Sequence, residues 1–249
     1  MVVIHPKKSH HCQTETDKAN EVSKLMLSYL GQVTGKREFL DLSDVCRKML
    51  PLLEIALPGN VAMKINLPSP GPAIKANADQ IQQILVNLAT NAWEASGNDD
   101  GSIYLTVKKV SSAKIPTSHR FPVDWLPENT LHACLEIQDS GCGIDNKSIE
   151  EIFSPFYSTK FTGRGLGLSV VLGLVKAHGG VVPVESWENK GSVFRAFFPM
   201  SLEELAQQPE TSANAHEIQC SGNVLMIDDD KMVLEFTRSQ TKRHGFTRG

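Results

Sequence analysis

No apolar run in this sequence is long enough to cross a bilayer. The longest, 170–175, stops at Lys176, far short of the roughly 20 residues that a spanning helix needs. Positive charge is also scarce: 25 Lys and Arg stand against 28 Asp and Glu, for a net charge of −3. Such a balance supplies no global field for nucleic acid or for an anionic membrane surface, so neither is expected as a partner. Any nucleotide would have to be held by local design. The five cysteines, at 12, 46, 134, 142 and 220, are odd in number and never spaced CxxC. That pattern argues against a disulfide framework and a zinc site, and a reducing, cytoplasmic setting fits it best. The opening MVVIHPKK has no long apolar region and does not read as a signal peptide.

What is present is an ordinary water-soluble composition. Hydrophobic residues make up 41% and charged residues 21% of the 249, which excludes wholly disordered and collagen-like chains. The length allows one large domain, or one domain with substantial extra pieces.

Periodicity organises the chain. Ala19, Val22, Leu25, Met26 and Tyr29 recur at helical steps over 17–30. A second helix is expected over 44–57, capped by Ser43 and ended by Pro58-Gly59, followed by the proline-rich turn LPSPGPAIKA. The clearest helix spans 78–96 and is closed by turn residues from Gly97 onward. Strands are expected over 103–110, 134–139, 181–186 and 193–198, with a helix over 168–178 and a hairpin extension around Trp125. The order predicts an α/β (α+β) two-layer sandwich, a mixed sheet with helices on one face. From 201 to 222 the chain turns polar and acidic, as a solvated linker does.

On the helix 78–96, Gln83, Asn87, Asn91 and Glu94 fall within an arc of about 80°, beside an apolar stripe of Ile81, Ile84, Leu85, Leu88, Ala92 and Ala95. A solvated helix face would account for the polar stripe. Asparagine is a mediocre helix former, however, and an amide oxygen aimed at a cation is one reason to accept two of them. The strand 134–139 ends in Asp-Ser-Gly-Cys-Gly-Ile. Its carboxylate and bare backbone suit a flat ring carrying an amine, and a tight turn explains the same residues equally well. Gly163, Gly165 and Gly167 precede the helix starting near Leu168, where backbone N–H groups could meet phosphate, with Lys160 and Arg164 beside them. No strand precedes this run and no GxxxxGK[ST] occurs, so Rossmann and P-loop sites both fail.

Taken in order, NLATNAWEA, DSGCGI, FSPFYSTK, GRGLGLSVV and GSVFRAFFP resemble the N, first glycine, F, second glycine and third glycine boxes of the ATP-binding catalytic domain of sensor histidine kinases. That domain belongs to the superfamily shared with gyrase, Hsp90 and MutL. The resemblance implies a Bergerat-type ATP-binding fold over 58–200, preceded over 1–57 by the tail of a dimerising, phosphoacceptor helical hairpin and its connector. NVLMIDDDKMVLEF resembles the start of a receiver domain at 223–249, with Asp228 and Asp229 as its acidic pair. The parent thus resembles a hybrid kinase.

By the same resemblance the cofactors are ATP and Mg²⁺, with Asn91 on the metal. Asp139 takes the adenine amine and Gly141 and Gly143 line the base, near Ala95, Ile144 and Ser192. Phe153, Thr159, Lys160 and Arg164 belong to the lid side. Gly163, Gly165, Leu166, Gly167 and Leu168 offer backbone to phosphate. Catalytic roles fall to Asn87, Lys160 and Arg164. Superfamily ATPases place a glutamate base four residues before the metal asparagine, where this chain has Asn87. An amide takes no proton from water, so the γ-phosphate is kept for another nucleophile. Glu94 stands where many of these kinases carry Lys.

None of the eight histidines (5, 10, 11, 119, 132, 178, 216 and 244) has a phosphoacceptor context. His10 and His11 read as tail residues and His178 as a helix C-terminal residue. The implied partners are the parent's phosphoacceptor histidine, a receiver domain or response regulator, and a second copy in a parent homodimer. An ATP-hydrolysing member of the superfamily and a degenerate, non-enzymatic module are the alternatives.

Overall fold

The computed structural model describes residues 35–97, 100–126, 130–158 and 165–200. The expected helix over 17–30, the linker 201–222 and the receiver start with Asp228 and Asp229 lie outside the described residues. In chain order the elements are β1 (Glu38–Asp41), α1 (Leu42–Ala56), β2 (Val61–Asn66), β3 (Ala73–Ala76), α2 (Ala78–Ser96), β4 (Gly101–Ser111), β5 (Arg120–Phe121), β6 (Leu131–Asp139), α3 (Gly167–Ala177), β7 (Val182–Trp187) and β8 (Gly191–Pro199). Six strands form a mixed sheet ordered β2-β4-β6-β8-β7-β5, with β2-β4 its parallel pair. β1 and β3 pair antiparallel on their own.

One core explains the layering. Ile81, Ile84, Leu85 and Leu88 of α2 are fully buried, as are Ile103 and Leu105 of β4, Leu135 of β6, and Val170 and Val171 of α3. Their alternation on the strands and helical spacing on α2 put all of them between sheet and helices, which is the expected sandwich.

The core also draws on residues before 58. Leu42, Cys46 and Leu53 of α1 lie in the same core as α2 and the sheet. The helix also starts earlier than expected: Asp41, not Ser43, is its N-cap, accepting from the Asp44 N–H at 3.0 Å, while Ser43 is buried inside it. The proline-rich turn contains β3, and β2 was not foreseen at all.

The stretch around Trp125 is no hairpin extension. β4 and β6 do pair as an antiparallel hairpin, but their connection crosses the sheet and adds β5 to the edge of β7. On the way it covers a second small core of Ile115, Cys134, Val181 and Phe197, against which Val110 and Trp125 pack. Cys134 and Phe197 are register partners that alternate with the main-core pair Leu135 and Ala196, so this patch is on the outer face. Elsewhere that face is polar. Desolvation works against the Glu136 carboxylate, but hydrogen bonds from Lys108 at 2.9 Å and from Arg195 prevail and hold it below the usual range.

His178 caps α3, as expected, and ties the two central helices together. Its Nδ1–H donates to Leu174 O at 2.8 Å and its Nε2 accepts the Asn77 N–H at 3.3 Å. Asn77 is in turn the N-cap of α2. Burial, with the Arg37 charge adding to it, pushes the imidazole below its ordinary value. The unfolded chain takes up a proton below about pH 6.5 that folded His178 refuses. Its contribution to stability is therefore full above that pH and is lost as pH falls through the lower folded value. Between pH 7.5 and 5.5, urea unfolding should show the wild type losing about 0.5 kcal/mol more than His178→Gln, the linkage ceiling being discounted for solvent screening. Equal losses would refute this assignment.

Candidate functional site

With the apolar stripe of α2 fixed in the core, its polar stripe has one place to go. Gln83, Asn87, Asn91 and Glu94 all line a cavity of about 900 Å³ whose far wall includes Asp139. This is the size of a site that encloses a ligand as large as a nucleotide.

Asp139 ends β6 and is 4% exposed. Its Oδ1 accepts the Gly141 N–H at 2.9 Å and the Ser192 N–H at 3.2 Å, so strand end, turn and β8 converge on one carboxylate. Two glycines make that convergence possible. Gly143 has φ +70°, and a Cβ there would sit 2.0 Å from Trp187 O; Gly191 has φ +91°, and its Cβ would sit 2.0 Å from Asp139 O. Ala95 closes the corner, its carbonyl accepting the Cys142 N–H at 3.0 Å. Ser186 accepts from the Ile144 N–H at 2.7 Å and touches Ser192 Oγ at 2.8 Å. Behind this turn lies a smaller hollow of about 260 Å³, bordered by Asp145, Ser186 and Trp187.

The opposite side is the start of α3. Its N-cap, Leu166, makes no side-chain cap, leaving first-turn N–H groups for an anion. Gly165, Leu166, Gly167 and Leu168 line the cavity. The atom nearest a Cβ at Gly167 is Asn87 Oδ1, at 3.6 Å, so the two helices face each other across the site. Phe156 N–H donates to Gly165 O at 2.8 Å, joining the two borders of the stretch 159–164. Thr159, Lys160, Gly163 and Arg164 lie outside the described residues.

Among the described positions expected in the site, Asn87, Asn91, Ala95, Asp139, Gly143, Ile144 and Ser192 line the cavity. Ala95 was also expected in the apolar stripe; it is half-buried on the cavity wall, because the stripe reaches the last turn of α2 where the core has ended. Gly141 sits behind the wall, where a Cβ would meet Ala95 O at 2.5 Å. Phe153 is not in the cavity: it is 3% exposed and packs against Phe121 with ring centroids 4.8 Å apart and planes tilted by 50°. Met49 and Val86 on the rim were missed, and as apolar helix residues they carried no local signal. Ser186 was missed as well.

Among the described residues no three His, Cys, Asp or Glu side chains converge to hold a metal. A hard cation such as Mg²⁺, bound by one or two protein oxygens plus substrate phosphates, fits the donors that are here: amide oxygens on α2 and the carboxylate of Glu94. Asn91 Nδ2 is buried with no hydrogen-bond partner; as a donor it suits an anionic or carbonyl oxygen, whereas the Oδ1 of the same amide suits the cation.

Residues 76–202 match the model of the histidine kinase-, DNA gyrase B- and HSP90-like ATPase family. The chain belongs to this family. It is 31% identical over 226 residues to sensor kinase CckA of Brucella abortus (strain 2308), covering 87% of this chain and 23% of that protein. It is 30% identical over 189 residues to sensor histidine kinase ZraS of Escherichia coli (strain K12), covering 76% and 36%. The chain thus spans between about a quarter and two fifths of the curated relatives it matches first. Among solved structures it resembles the catalytic domain of histidine kinase ThkA, with TM-score 0.52 and 27% identity over 66% of this chain and 96% of that one. The Acinetobacter baumannii histidine kinase AdeS shares the fold, with TM-score 0.55 and 22% identity over 76% and 80%. The family is one of ATP-binding domains. No helix among the described residues is long and apolar enough to cross a membrane.

Proposed function

We propose that the chain is the ATP-binding catalytic part of a two-component sensor histidine kinase. The observation that carries this reading is Asn87, an amide facing the start of α3 across the cavity, where a hydrolase of the superfamily needs a base. The sensor kinases among its relatives support it. Asp139, with Gly143, Ile144 and Ser192, reads the adenine edge. Asn91, through its amide oxygen, and Glu94 are the cavity residues that would hold Mg²⁺, which would supply neutralisation of the phosphate charge. The start of α3, from Gly165 to Leu168, cradles phosphate by backbone, and Thr159, Lys160, Gly163 and Arg164 complete that side. Phe153 supports the site from within the core.

The γ-phosphoryl then passes to a histidine of the parent kinase outside this chain, and onward to a receiver aspartate. ThkA has been crystallised with the response regulator TrrA, and a partner of that kind is proposed here. Residues 1–57 supply the end of the dimerising hairpin and its connector to a homodimeric parent, and 201–222 link the catalytic part to the receiver start at 223–249.

Two measurements test the reading. Calorimetry with ADP and Mg²⁺ should show one binding site, and its absence would favour a degenerate module. With γ-labelled ATP the chain should neither carry phosphohistidine nor release phosphate steadily. Phosphohistidine on this chain would refute the missing acceptor, and steady release would revive hydrolysis.

A thiol offers a third. Burial pushes Cys46 and Cys134 up to about 12, whereas Cys142 is exposed on the cavity wall. Iodoacetamide should modify Cys142 well ahead of those two, and ADP at ten times its dissociation constant should slow it about tenfold. Peptide mapping that finds no protection would place the base elsewhere.

A further inference from the structure

Ser186 does not border the large cavity; it lines the smaller hollow behind it. Its hydroxyl has three neighbours: the Ile144 N–H at 2.7 Å, Gly191 O at 3.2 Å and Ser192 Oγ at 2.8 Å. A serine hydroxyl carries one proton and two lone pairs. Ile144 occupies one lone pair, and Gly191 O receives the proton. All three contacts are satisfied together only when Ser192 is the donor in the remaining one. In that arrangement the Ser192 proton is directed to Ser186, which does not line the cavity, and what Ser192, which does line it, keeps for a ligand is lone pairs. Beside it stands Asp139, which holds the Ser192 N–H.

We infer that Ser186 is a specificity-determining positioning residue, which fixes the Ser192 hydroxyl as an acceptor so that the corner prefers a 6-amino purine to a 6-oxo purine. The inference rests on the ATP reading above and goes beyond it in assigning the source of base discrimination. A 6-amino group donates into two acceptors. A 6-oxo group turns its own lone pairs against them, and a buried polar mismatch of this kind is costly. Without the Ser186 hydroxyl, Ser192 is free to rotate and donate to a 6-oxo group, and the Ile144 N–H loses its partner.

The test is calorimetry on the full 249-residue chain with ADP and with IDP, whose base carries oxygen at position 6. Ser186→Ala should weaken ADP about fivefold and leave IDP unchanged or tighter, narrowing the ADP preference by about five- to tenfold. Ser186→Thr keeps the hydroxyl and should restore the wild-type ratio, which a role in packing alone would not require. An unchanged ratio in Ser186→Ala, or equal weakening of both nucleotides, overturns the inference. Should Ser186→Ala not fold, Ser186→Gly, which removes the same hydroxyl, decides: a narrowed ratio supports the inference and an unchanged one overturns it. A wild-type chain that takes neither nucleotide overturns the ATP reading and this inference together, whereas normal ADP binding with an unaltered ratio overturns this inference alone.

Discussion

Asparagine in place of Asp139 is expected to weaken ADP binding by about 30- to 150-fold, from a loss of about 2 to 3 kcal/mol. The substitution is nearly isosteric, and an amide oxygen can keep both contacts that Oδ1 makes, with the Gly141 and Ser192 N–H groups. The turn should therefore survive, with an unfolding midpoint within a few degrees of wild type. What changes is the other corner of the side chain, which becomes an N–H₂ donor facing a donor amine, and the charge that strengthened each bond is gone. Calorimetry and thermal unfolding of the same preparation separate the two effects. Undiminished ADP binding by a folded Asp139→Asn variant would remove this carboxylate from base recognition.

Gly191→Ala should be strongly destabilising, by about 3 kcal/mol or more. A Cβ at φ +91° would stand 2.0 Å from Asp139 O and 3.0 Å from Ser140 Cα. Both obstacles are backbone, flanked by the paired strands β6 and β8, so neither can swing aside as a flexible side chain would. For a domain of this size the midpoint should fall by roughly 10 °C. Because the obstacle belongs to Asp139 itself, ADP affinity should fall with it. Gly59 is the control, since nothing lies within 4 Å of a Cβ there, and Gly59→Ala should stay within about 0.5 kcal/mol of wild type. Equal stability of the two variants would show that the close approach is relieved.

The parts of this site that could be read from the sequence are those set by local rules. α2 announces itself through its period and its closing glycine, and the period alone places Gln83, Asn87, Asn91 and Glu94 on one side. Asp139 and its glycines follow from the chemistry of a strand end. The misses depend on partners far along the chain. β1 and β3 have four residues each, and Glu38 finds Ala76 across α1 and β2. Asp41 and Ser43 could each cap a helix, and what decides between them is that Leu42 must be buried at the helix start. The side chain of Phe153 turns inward because Phe121 is there to meet it, and Phe121 arrives from a connection that local patterning makes look like part of a hairpin. Ser186 has nothing in its own neighbourhood to distinguish it from any strand hydroxyl; only the meeting of Ile144, Gly191 and Ser192 around it does.

The crossing of the β4–β6 connection also fixes an order of events. β4 and β6 are hairpin neighbours and can pair as soon as both exist, but β5 has no partner until β7 is in place. The patch of Ile115, Cys134, Val181 and Phe197 waits on the same late strands. A chain emerging from the ribosome must therefore carry this connection unpaired until β7 and β8 have been made, with Trp125 and Phe121 in water for that interval. Closing the sheet from its far edge is a long-range step, which belongs to the slow end of folding. In pulsed hydrogen exchange the amide of Phe121 should gain protection after those of β4 and β6.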